Sequence, residues 1–332
     1  MAKTTIIYSN STNPWFNLTV ENWIFSDMDP EGYVLYLWRN SDTVVIGRYQ
    51  NPWIECRLDK MKEDEVKLAR RQSGGGAVYH DVNNLNFTFM CGKGLYDKEL
   101  FYRIITDSLA SFGIEAEVSG RNDILVDGKK VSGSAFKHKT DRSFHHGTLL
   151  VNTDMSRLAD YLNPDKRKLE SKGIKSVRSR VANLIEFNPD ITAEKLSEAI
   201  RNSFFDKLGA GSEDYYDVDM LENNLLFNSS YKLLSSDKWL YEKSPDFSHC
   251  FDSRFSWGGI EINIEVERAR ISDVKIFTDS LYPEMISQIE QQLQDCKYSF
   301  DSIEDILTRI ALEQYEWIPC IDDIKALFKS EM

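Results

Sequence analysis

Short stretches in which apolar and polar residues alternate recur along this chain of 332 residues and predict β-strands. The clearest cover residues 85–91, where Leu85, Phe87 and Phe89 share one side, and residues 260–266, where β-branched residues alternate strictly. Strands are also predicted over residues 4–8, 33–38, 43–48, 66–71, 77–80, 145–152 and 271–277. Asp127-Gly128 lies between two apolar runs and is a strong signal for a tight hairpin.

Other stretches repeat apolar residues at three- and four-residue spacing, which predicts helices. In the first, Phe16, Val20 and Ile24 share one face after Pro14, a residue suited to a first helical turn. Further helices are predicted after Pro52 to about Glu63, from Asp97 to Gly113, from Thr192 to Lys207, after Pro283 and at the capping box Asp301-x-x-Glu304.

The order of these elements predicts an α+β protein with two domains. Strands and helices mix without a regular βαβ alternation, which disfavours a doubly wound fold. Residues 209–248 are rich in Ser, Asn, Asp and Gly and are expected to be irregular. We therefore expect a large mixed-sheet domain over residues 1–248 and a small α+β domain, built on a strand pair and helices, over residues 249–332.

Composition narrows the class of protein. The net charge of −13, from 40 basic and 53 acidic residues, argues against a general affinity for nucleic acid. No stretch approaches the roughly 18 apolar residues of a membrane span, and the five cysteines show neither zinc nor Cys-x-x-Cys spacing. We expect a soluble, cytoplasmic, monomeric protein with reduced cysteines and no membrane or nucleic-acid partner.

The segment Arg70-Arg-Gln-Ser-Gly-Gly-Gly-Ala-Val-Tyr-His80 carries the strongest chemical signal. Its two guanidinium groups suit a carboxylate or a phosphate, and its glycines allow the backbone to approach a ligand with its N–H groups exposed. The segment joins two predicted strands and matches neither the Walker loop nor Gly-x-Gly-x-x-Gly. Two interpretations stay open: an anion-binding loop and a plain glycine-rich hairpin turn.

The neighbourhood of the predicted hairpin adds further candidates. Lys129 and Lys130 follow the turn and point to opposite faces of a strand, so either one faces an anion or both are solvated. Asp123 could hold Mg²⁺ on a phosphate or bond its own backbone in a turn. The adjacent His145 and His146 suit one packed and one exposed side chain better than a pair of metal ligands.

A basic run contrasts with the acidic balance of the chain. Seven of the sixteen residues from 165 to 180 are Lys or Arg. They could form a solvated loop, a lid over a polyphosphate or a landing surface for an acidic protein. The chain has no Gly-x-Ser-x-Gly elbow and no cysteine placed in these motifs, so covalent catalysis is not expected.

Taken in order, these motifs resemble the lipoate–protein ligases of the A type, relatives of the biotin protein ligases. The likeness spans nearly the whole chain and rests on Pro14-Trp-Phe-Asn17, Leu37-Trp-Arg-Asn40, Thr43-Val-Val-Ile-Gly-Arg48, the segment from Arg70 to Asp81, Gly120-Arg-Asn-Asp123, Lys130-Val-Ser-Gly-Ser134, His145-His-Gly-Thr148, Tyr161-Leu-Asn-Pro-Asp165, Ser176-Val-Arg-Ser-Arg180, Phe255-Ser-Trp-Gly-Gly259 and Phe277-Thr-Asp-Ser280. It implies an enzyme that activates lipoate with ATP to lipoyl-AMP and then transfers the lipoyl group to a lysine through an amide bond.

The resemblance also implies roles for individual residues. Lys130 would be the essential lysine, in contact with the lipoyl carbonyl and the α-phosphate. Lipoate would be bound by Trp38 at its dithiolane end and by Arg71, Ser73, Gly75, His80 and Lys130 at its carboxyl end. ATP would be bound by Arg71, Gly76, Ala77, Val78, Tyr79, Asn122, Asp123 and Lys130, with Asp123 also on Mg²⁺.

The implied acceptors are the apo lipoyl domains of 2-oxoacid dehydrogenase acyltransferase subunits and the glycine cleavage H protein. The alternative within the fold is an octanoyl or lipoyl transferase that acts without ATP, commonly through a cysteine and without a second domain. A sensor that binds nucleotide or lipoyl compounds is the alternative outside catalysis. Pyrophosphate release on addition of lipoate and ATP would separate the ligase from both.

Overall fold

The computed structural model describes residues 2–120, 122–163, 181–241 and 249–332. They form two compact units. The first unit comprises residues within 1–46, 52–71 and 77–240, and the second comprises residues within 47–51, 72–76 and 241–332. The basic run from residue 165 to 180 lies outside the described residues.

Strands and helices of the described residues are numbered in chain order. The strands are β1 (Thr4–Ser9), β2 (Tyr33–Trp38), β3 (Thr43–Ile46), β4 (Lys67–Arg70), β5 (Val78–His80), β6 (Asn84–Gly92), β7 (Glu117–Ser119), β8 (Asp123–Val126), β9 (Lys129–His138), β10 (Arg142–Leu150), β11 (Ser212–Tyr216), β12 (His249–Phe255), β13 (Gly258–Glu267) and β14 (Arg270–Thr278). The α-helices are α1 (Pro14–Asp27), α2 (Pro52–Glu55), α3 (Leu58–Glu63), α4 (Lys98–Ala110), α5 (Met155–Tyr161), α6 (Ala193–Leu208), α7 (Met220–Asn223), α8 (Leu225–Leu234), α9 (Asp237–Tyr241), α10 (Pro283–Leu293), α11 (Phe300–Ala311) and α12 (Ile318–Glu331). Single 3₁₀ turns cover Lys93–Leu95, Leu184–Glu186 and Tyr315–Trp317.

An eight-stranded mixed sheet organises the first unit. Its order is β11-β1-β2-β6-β10-β9-β8-β7. β1 is parallel to both of its neighbours, whereas the pairs from β2 onward are antiparallel. This arrangement confirms the predicted α+β class with a large mixed sheet.

The two faces of this sheet pack against different helices. On one face, the ring of Phe89 in β6 stacks on Phe101 of α4 and Phe204 of α6, with centroids 4.8 and 6.1 Å apart. On the other face, Met90 of the same strand joins a core that includes Phe16 of α1. We call the second face the α1 face, and it carries the candidate site described below.

α1 begins as its sequence predicts. Pro14 occupies the first turn, where a missing backbone N–H is not needed. The Oδ1 of Asn13 accepts the N–H groups of Trp15 and Phe16 at 3.0 and 3.2 Å and so caps the helix. The predicted inner positions Phe16 and Val20 are fully buried, so the apolar stripe faces the sheet.

A small second sheet in the first unit has the order β4-β3-β5. β3 is parallel to β4 and antiparallel to β5. The strands on either side of the glycine-rich segment are therefore separated by β3 and do not pair with each other. The interpretation of that segment as a plain hairpin turn is wrong, because a hairpin turn joins strands that pair directly.

The second unit is built on the antiparallel sheet β12-β13-β14, of which β12 was not predicted. Ile260, Ile262 and Ile264 are buried in its core, which bears out the alternation seen in the sequence. Residues 47–51 also belong to this unit: the N–H of Thr278 donates to the oxygen of Tyr49 at 2.8 Å, and the Tyr49 ring joins the same core.

The helix predicted from Pro52 to Glu63 is wrong as a single element. It is split into α2 and α3, because the backbone between them pairs with the end of α5. The N–H of Arg57 donates to the oxygen of Tyr161 at 2.9 Å, and Cys56 forms an isolated antiparallel bridge with Leu162. Pairing with a distant segment thus overrides the local helical pattern.

Two further predicted features differ from the structure. Residues 209–248 were expected to be irregular, but their described part forms β11, α7, α8 and α9. The capping box at Asp301 is also wrong, because α11 begins at Phe300 after Ser299. The hydroxyl of Ser299 bonds the hydroxyl of Ser302 at 2.9 Å instead of capping a backbone N–H.

Across the described ranges, no helix combines the length and the apolar character that crossing a membrane would require.

Gly74 offers a test of the packing in the second unit. A Cβ added there would lie 2.0 Å from the backbone oxygen of Ser280, and the next atoms in reach are also backbone, so no rotamer change can relieve the clash. We expect Gly74→Ala to lower the free energy of unfolding by about 1–3 kcal/mol, the usual cost of overpacking. Urea unfolding followed by circular dichroism measures this change.

Gly94→Ala is the matched control for that experiment, because no atom of the described residues lies within 4 Å of a Cβ at Gly94. It should leave the unfolding midpoint close to that of the wild type. An unchanged midpoint in Gly74→Ala as well would show that residues 72–76 are not packed against Ser280.

Candidate active site

The hairpin of β8 and β9 carries Lys130 and Asp123. Its turn is Asp127-Gly128, with φ angles of +49° and +72°, the left-handed values of a two-residue type I′ turn. The predicted hairpin is confirmed. Lys130 Nζ lies 2.6 Å from Asp123 Oδ1, and the two side chains keep 28% and 16% of their exposure. The ammonium is thus fixed by a carboxylate while it remains open to a ligand.

Asn122 closes the base of this hairpin. Its backbone oxygen accepts the N–H of Ser134 at 2.8 Å, and its Nδ2 donates to the oxygen of Ser134 at 2.6 Å. One of its two amide hydrogens is therefore used on β9. The second amide hydrogen can donate to a phosphate oxygen, and Oδ1 is an acceptor that can face Mg²⁺ or a water molecule.

The two adjacent arginines differ in role. Arg70 is 1% exposed, and its Nε and Nη2 donate to the oxygens of Trp239 and Leu240 at 2.9 and 2.7 Å. Trp239 Nε1 donates back to the oxygen of Arg70 at 2.9 Å. Arg70 therefore anchors α9 to β4.

Arg71 is buried beside β3. Its Nη1 donates to the oxygen of Val45 at 3.1 Å, and its N–H donates to the oxygen of Ile46 at 3.0 Å. Burial lowers the pKa of Arg71 to about 10, against the opposite effect of the Glu21 carboxylate. The guanidinium stays charged at neutral pH and can bind a carboxylate or a phosphate.

A chain of amides sets the orientation of His80. The Nδ2 of Asn17 donates to the oxygens of Ser11 and Arg39 at 3.0 and 2.8 Å and to Asn40 Oδ1 at 2.9 Å. Because its Oδ1 is used in this way, Asn40 turns its Nδ2 toward His80 Nδ1, 3.1 Å away. Nδ1 must accept this bond, and the proton of the neutral ring lies on Nε2.

His80 is a neutral hydrogen-bond donor. Burial, with the charges of Arg71 and His146, lowers the pKa of His80 to about 3, so the imidazole carries no charge at neutral pH. Its buried Nε2 has no hydrogen-bond partner in the part of the chain that the structure describes. An unpaired buried N–H is costly, and this donor is therefore suited to a ligand.

A buried carboxylate that the sequence analysis missed organises the α1 face. Glu21 is 1% exposed, and its Oε1 accepts bonds from Thr88 Oγ1 at 2.7 Å and His146 Nδ1 at 2.8 Å. Burial acts to raise the pKa of Glu21, but His146 and Thr88 outweigh it and hold the pKa below its usual value. A charged residue in the apolar stripe of α1, four positions after Asn17, was the signal that could have revealed it.

Trp38 belongs to the same network. Its Nε1 donates to Thr88 Oγ1 at 3.2 Å. The indole stacks on Tyr36, and its centroid lies 6.2 Å from that of His80. The structure thus brings together two residues that the sequence assigned to one ligand, and it holds Trp38 in a single orientation.

Lys130 and the buried network share the α1 face. Gly133 of β9 is paired with Thr148 of β10, and Ala135 is paired with His146. Residues two apart on a strand share a face, so His146 and Thr148 point to the same side. Lys130 Nζ lies 2.7 Å from the point that a Cβ on Gly133 would occupy. The ammonium therefore lies on the α1 face, beside a β9 position two residues from the one that is paired with His146.

Residues 72–76, which belong to the second unit, are held by backbone hydrogen bonds. Ser73 is fully buried, and its oxygen accepts the N–H of Arg48 at 2.9 Å. Gly75 has a φ of +92°, a conformation that favours glycine, and its N–H donates to the oxygen of Ser280 at 2.9 Å. The expectation that the glycine N–H groups are exposed is wrong for Gly75.

The segment implied for ATP continues through Gly76, Ala77, Val78 and Tyr79. The first three are half-buried, whereas Tyr79 is 1% exposed. Tyr79 donates its hydroxyl to Asp42 Oδ1 at 2.7 Å, and burial and this bond raise its pKa well above the usual value. The Tyr79 side chain is used within the protein, so a nucleotide would meet the backbone here.

Candidates for covalent catalysis and metal binding are few. Burial raises the pKa of the Cys56 and Cys91 thiols to about 12, so both stay protonated at neutral pH. Within the described ranges, no three His, Cys, Asp or Glu side chains are grouped to hold a metal ion. His145 and His146 are 0% and 7% exposed, which makes the expectation of one exposed histidine wrong.

Two protein families match this chain in sequence. The family described as "Lipoyl protein ligase A/B catalytic domain" matches residues 13–205, and "Bacterial lipoate protein ligase C-terminus" matches residues 244–324. The curated "Lipoate-protein ligase A" of Psychrobacter cryohalolentis is 48% identical over 338 residues, which cover 99% of this chain and 99% of that protein.

Solved structures of lipoate ligases also match this chain. LipL1 of P. falciparum, crystallised in complex with lipoate, matches with a TM-score of 0.86 and 34% identity over 97% of this chain and 98% of that one. A crystal structure of lipoate-protein ligase A bound with ATP matches with a TM-score of 0.60 and 25% identity, over 73% of this chain and 99% of the other.

His145 allows a test of the buried electrostatics. Its ring lies among Phe87, Phe136 and Tyr102, and burial holds its pKa well below the usual value. Below pH about 6.5 the unfolded chain binds a proton at this histidine that the folded chain does not. Stability should therefore fall as the pH drops, by up to about 1.4 kcal/mol per pH unit for this site.

His145→Phe should flatten that dependence, because the phenyl ring fits among aromatic neighbours and does not titrate. The measurement is the urea midpoint of both proteins at several pH values between 7 and 4. An equally steep decline in the variant would mean that His145 contributes nothing to acid sensitivity.

Proposed function

This chain belongs to the lipoyl protein ligase A/B family, and from that premise we propose how its residues carry out the reaction. The protein is an ATP-dependent lipoate–protein ligase. Lipoate attacks the α-phosphorus of ATP and displaces pyrophosphate to give lipoyl-AMP. A lysine amine of an acceptor protein then attacks the lipoyl carbonyl, an amide forms, and AMP leaves. The observation that carries the residue assignments is the Lys130 ammonium, fixed by Asp123 on the face that holds the buried network.

The first step brings two anions together. A carboxylate and a triphosphate repel each other, and negative charge grows on the α-phosphoryl oxygens as pyrophosphate departs. Lys130 is assigned to this charge and to the lipoyl carbonyl oxygen, and is the catalytic residue of the proposal. Its pairing with Asp123 at 2.6 Å fixes the ammonium before substrates arrive, which spares reorganisation during the reaction.

The carboxyl end of lipoate is assigned to Arg71, Ser73, Gly75, His80 and Lys130. Arg71 supplies a guanidinium that stays charged although it is buried. His80 supplies an N–H donor and is itself neutral. At Ser73 and Gly75 the assignment rests on sequence resemblance, because the N–H of Gly75 is bonded to Ser280. Trp38, which is 4% exposed, is assigned to the dithiolane end.

ATP is assigned to Arg71, Gly76, Ala77, Val78, Tyr79, Asn122, Asp123 and Lys130. The described side chains offer no cluster of three ligands for a metal, and Mg²⁺ commonly binds through one or two carboxylates, water and substrate phosphates. Asp123, with Asn122 Oδ1 beside it in sequence, fits such a site. We propose that Mg²⁺ reaches it on ATP, where it would neutralise phosphate charge.

The second step needs an acceptor amine and no nucleophile of the enzyme, because AMP is already a good leaving group. Cys56 and Cys91, whose thiols burial keeps protonated, are not suited to serve as the nucleophile of a cysteine-dependent transferase. We propose apo lipoyl domains of 2-oxoacid dehydrogenase acyltransferase subunits and the glycine cleavage H protein as acceptors, met by a monomeric enzyme in the cytoplasm. Residues 1–248 would act as the catalytic domain and residues 249–332 as the accessory domain.

The reaction can be tested directly with the wild-type protein. Lipoate and ATP together should release pyrophosphate, and an apo lipoyl domain should gain the mass of one lipoyl group only when ATP is present. Mass spectrometry of the acceptor and a coupled pyrophosphate assay measure the two steps. Modification of the acceptor from an acyl carrier protein without ATP would instead support the transferase.

Lys130→Ala tests the proposed catalytic residue. Removal of one preorganised donor at a developing charge typically costs 10²–10³-fold, so lipoyl-AMP formation should slow by roughly 10²–10³-fold while the protein stays folded. Lys129→Ala is the matched control: it is the neighbouring lysine, is exposed and lies 3.5 Å from Glu186. Near-normal adenylation in Lys130→Ala would remove Lys130 from the reaction.

A further inference from the structure

Gly133 lies in the interior of β9, a position where glycine does not stabilise a strand. Glycine in the interior of a strand adds backbone entropy cost and packs no side chain. Gly133 is not among the described residues with a positive φ, so its backbone does not require glycine. It is paired with Asp123 of β8 on one side and Thr148 of β10 on the other. Its presence therefore needs another explanation.

The register of the hairpin brings Lys130 close to this glycine. Leu125 is paired with Lys130 and Ile124 with Ser132, so Val131 is an extra residue and forms a β-bulge. A bulge turns the strand locally and re-aims its side chains. As a result, the Nζ and Cε of Lys130 lie 2.7 and 2.9 Å from the point where a Cβ on Gly133 would stand.

We propose that Gly133 is a positioning residue for Lys130, because it leaves empty the volume that the ammonium occupies. The next atom after those of Lys130, Asp123 Oδ1, lies 4.0 Å from the added Cβ, which is an ordinary contact distance. Among the residues that the structure describes, a methyl group at this position would collide only with the end of the Lys130 side chain. This inference rests on the proposed catalytic function of Lys130.

A substitution at Gly133 is expected to change the position of Lys130 and to leave the fold intact. The end of a lysine is flexible, so the methyl group displaces the ammonium at little cost to the fold. Displacement by about 1 Å is enough to cost roughly 10²-fold in rate when a group must meet a reacting centre. A substitution at Gly133 should therefore affect catalysis and leave stability nearly unchanged.

The test compares Gly133→Ala with Gly94→Ala, whose added methyl group has no atom of the structurally described ranges within 4 Å. Gly133→Ala should form lipoyl-AMP roughly 10²-fold more slowly than the wild type, with the loss in kcat and an unfolding midpoint close to that of the wild type. Gly94→Ala should match the wild type in both. A rate for Gly133→Ala within twofold of the wild type would overturn the inference.

A double variant separates positioning from a general structural role. If Gly133 acts through Lys130, Gly133→Ala combined with Lys130→Ala should be no slower than Lys130→Ala alone. Losses that multiply would overturn the inference, because independent sites combine additively in free energy.

A crystal structure of Gly133→Ala provides a readout that does not depend on activity. Lys130 Nζ should be displaced from its position beside Asp123, and an unmoved ammonium would contradict the inference. Failure of the wild type to release pyrophosphate would count against the ligase function. The position of Lys130 in the Gly133→Ala crystal structure tests the inference on Gly133 independently of that function.

Discussion

The buried charge of Glu21 is the constraint on which the site depends. A carboxylate taken out of water must find cations and donors, or it does not stay charged. Glu21 meets this need with His146 and Thr88, and its field also favours the charged form of Arg71. Because Thr88 gives its hydrogen to Glu21, its oxygen is left to accept the indole N–H of Trp38. One carboxylate thus orients side chains from several strands at once.

Burial acts differently on Arg71 and His80, two of the basic side chains assigned to the lipoate carboxyl group. The pKa of Arg71 starts so high that burial leaves it about 10, and the cation persists. The same burial, beside Arg71, takes the pKa of His80 to about 3 and leaves a neutral ring. Asn40 then decides which nitrogen keeps the proton. Arg71 and His80 together therefore offer one cation and one neutral donor, which avoids placing two adjacent positive charges out of water.

Local signals in the sequence predicted the parts of this molecule that local forces determine. The tight turn at Asp127-Gly128, the start of α1 at Pro14 and the alternation in β13 depend only on residues that are close in sequence. Long-range partners could not be predicted in the same way: the insertion of β3 between β4 and β5, the bond of Gly75 to Ser280 and the pairing of Glu21 with His146 each join distant segments. The motif segments identified the family, whereas the orientation of their side chains required the fold.

Arg70 and Gly75 show most clearly why a motif does not assign roles to its own residues. Adjacent arginines in one segment have separate partners, since Arg70 binds carbonyl groups of α9 and Arg71 binds the carbonyl group of Val45 in β3. Gly74 and Gly133 also differ in role, because different atoms occupy the space that a side chain would fill at each position.

Gly74 makes room for the backbone of Ser280, which cannot move without the chain, whereas Gly133 makes room for the end of a lysine, which can. Rigid neighbours make a glycine necessary for folding, and movable ones make it necessary for the position of a reactive group. Two glycines in motifs of one enzyme can therefore serve stability in one case and catalysis in the other, and the identity of the crowded atom distinguishes them.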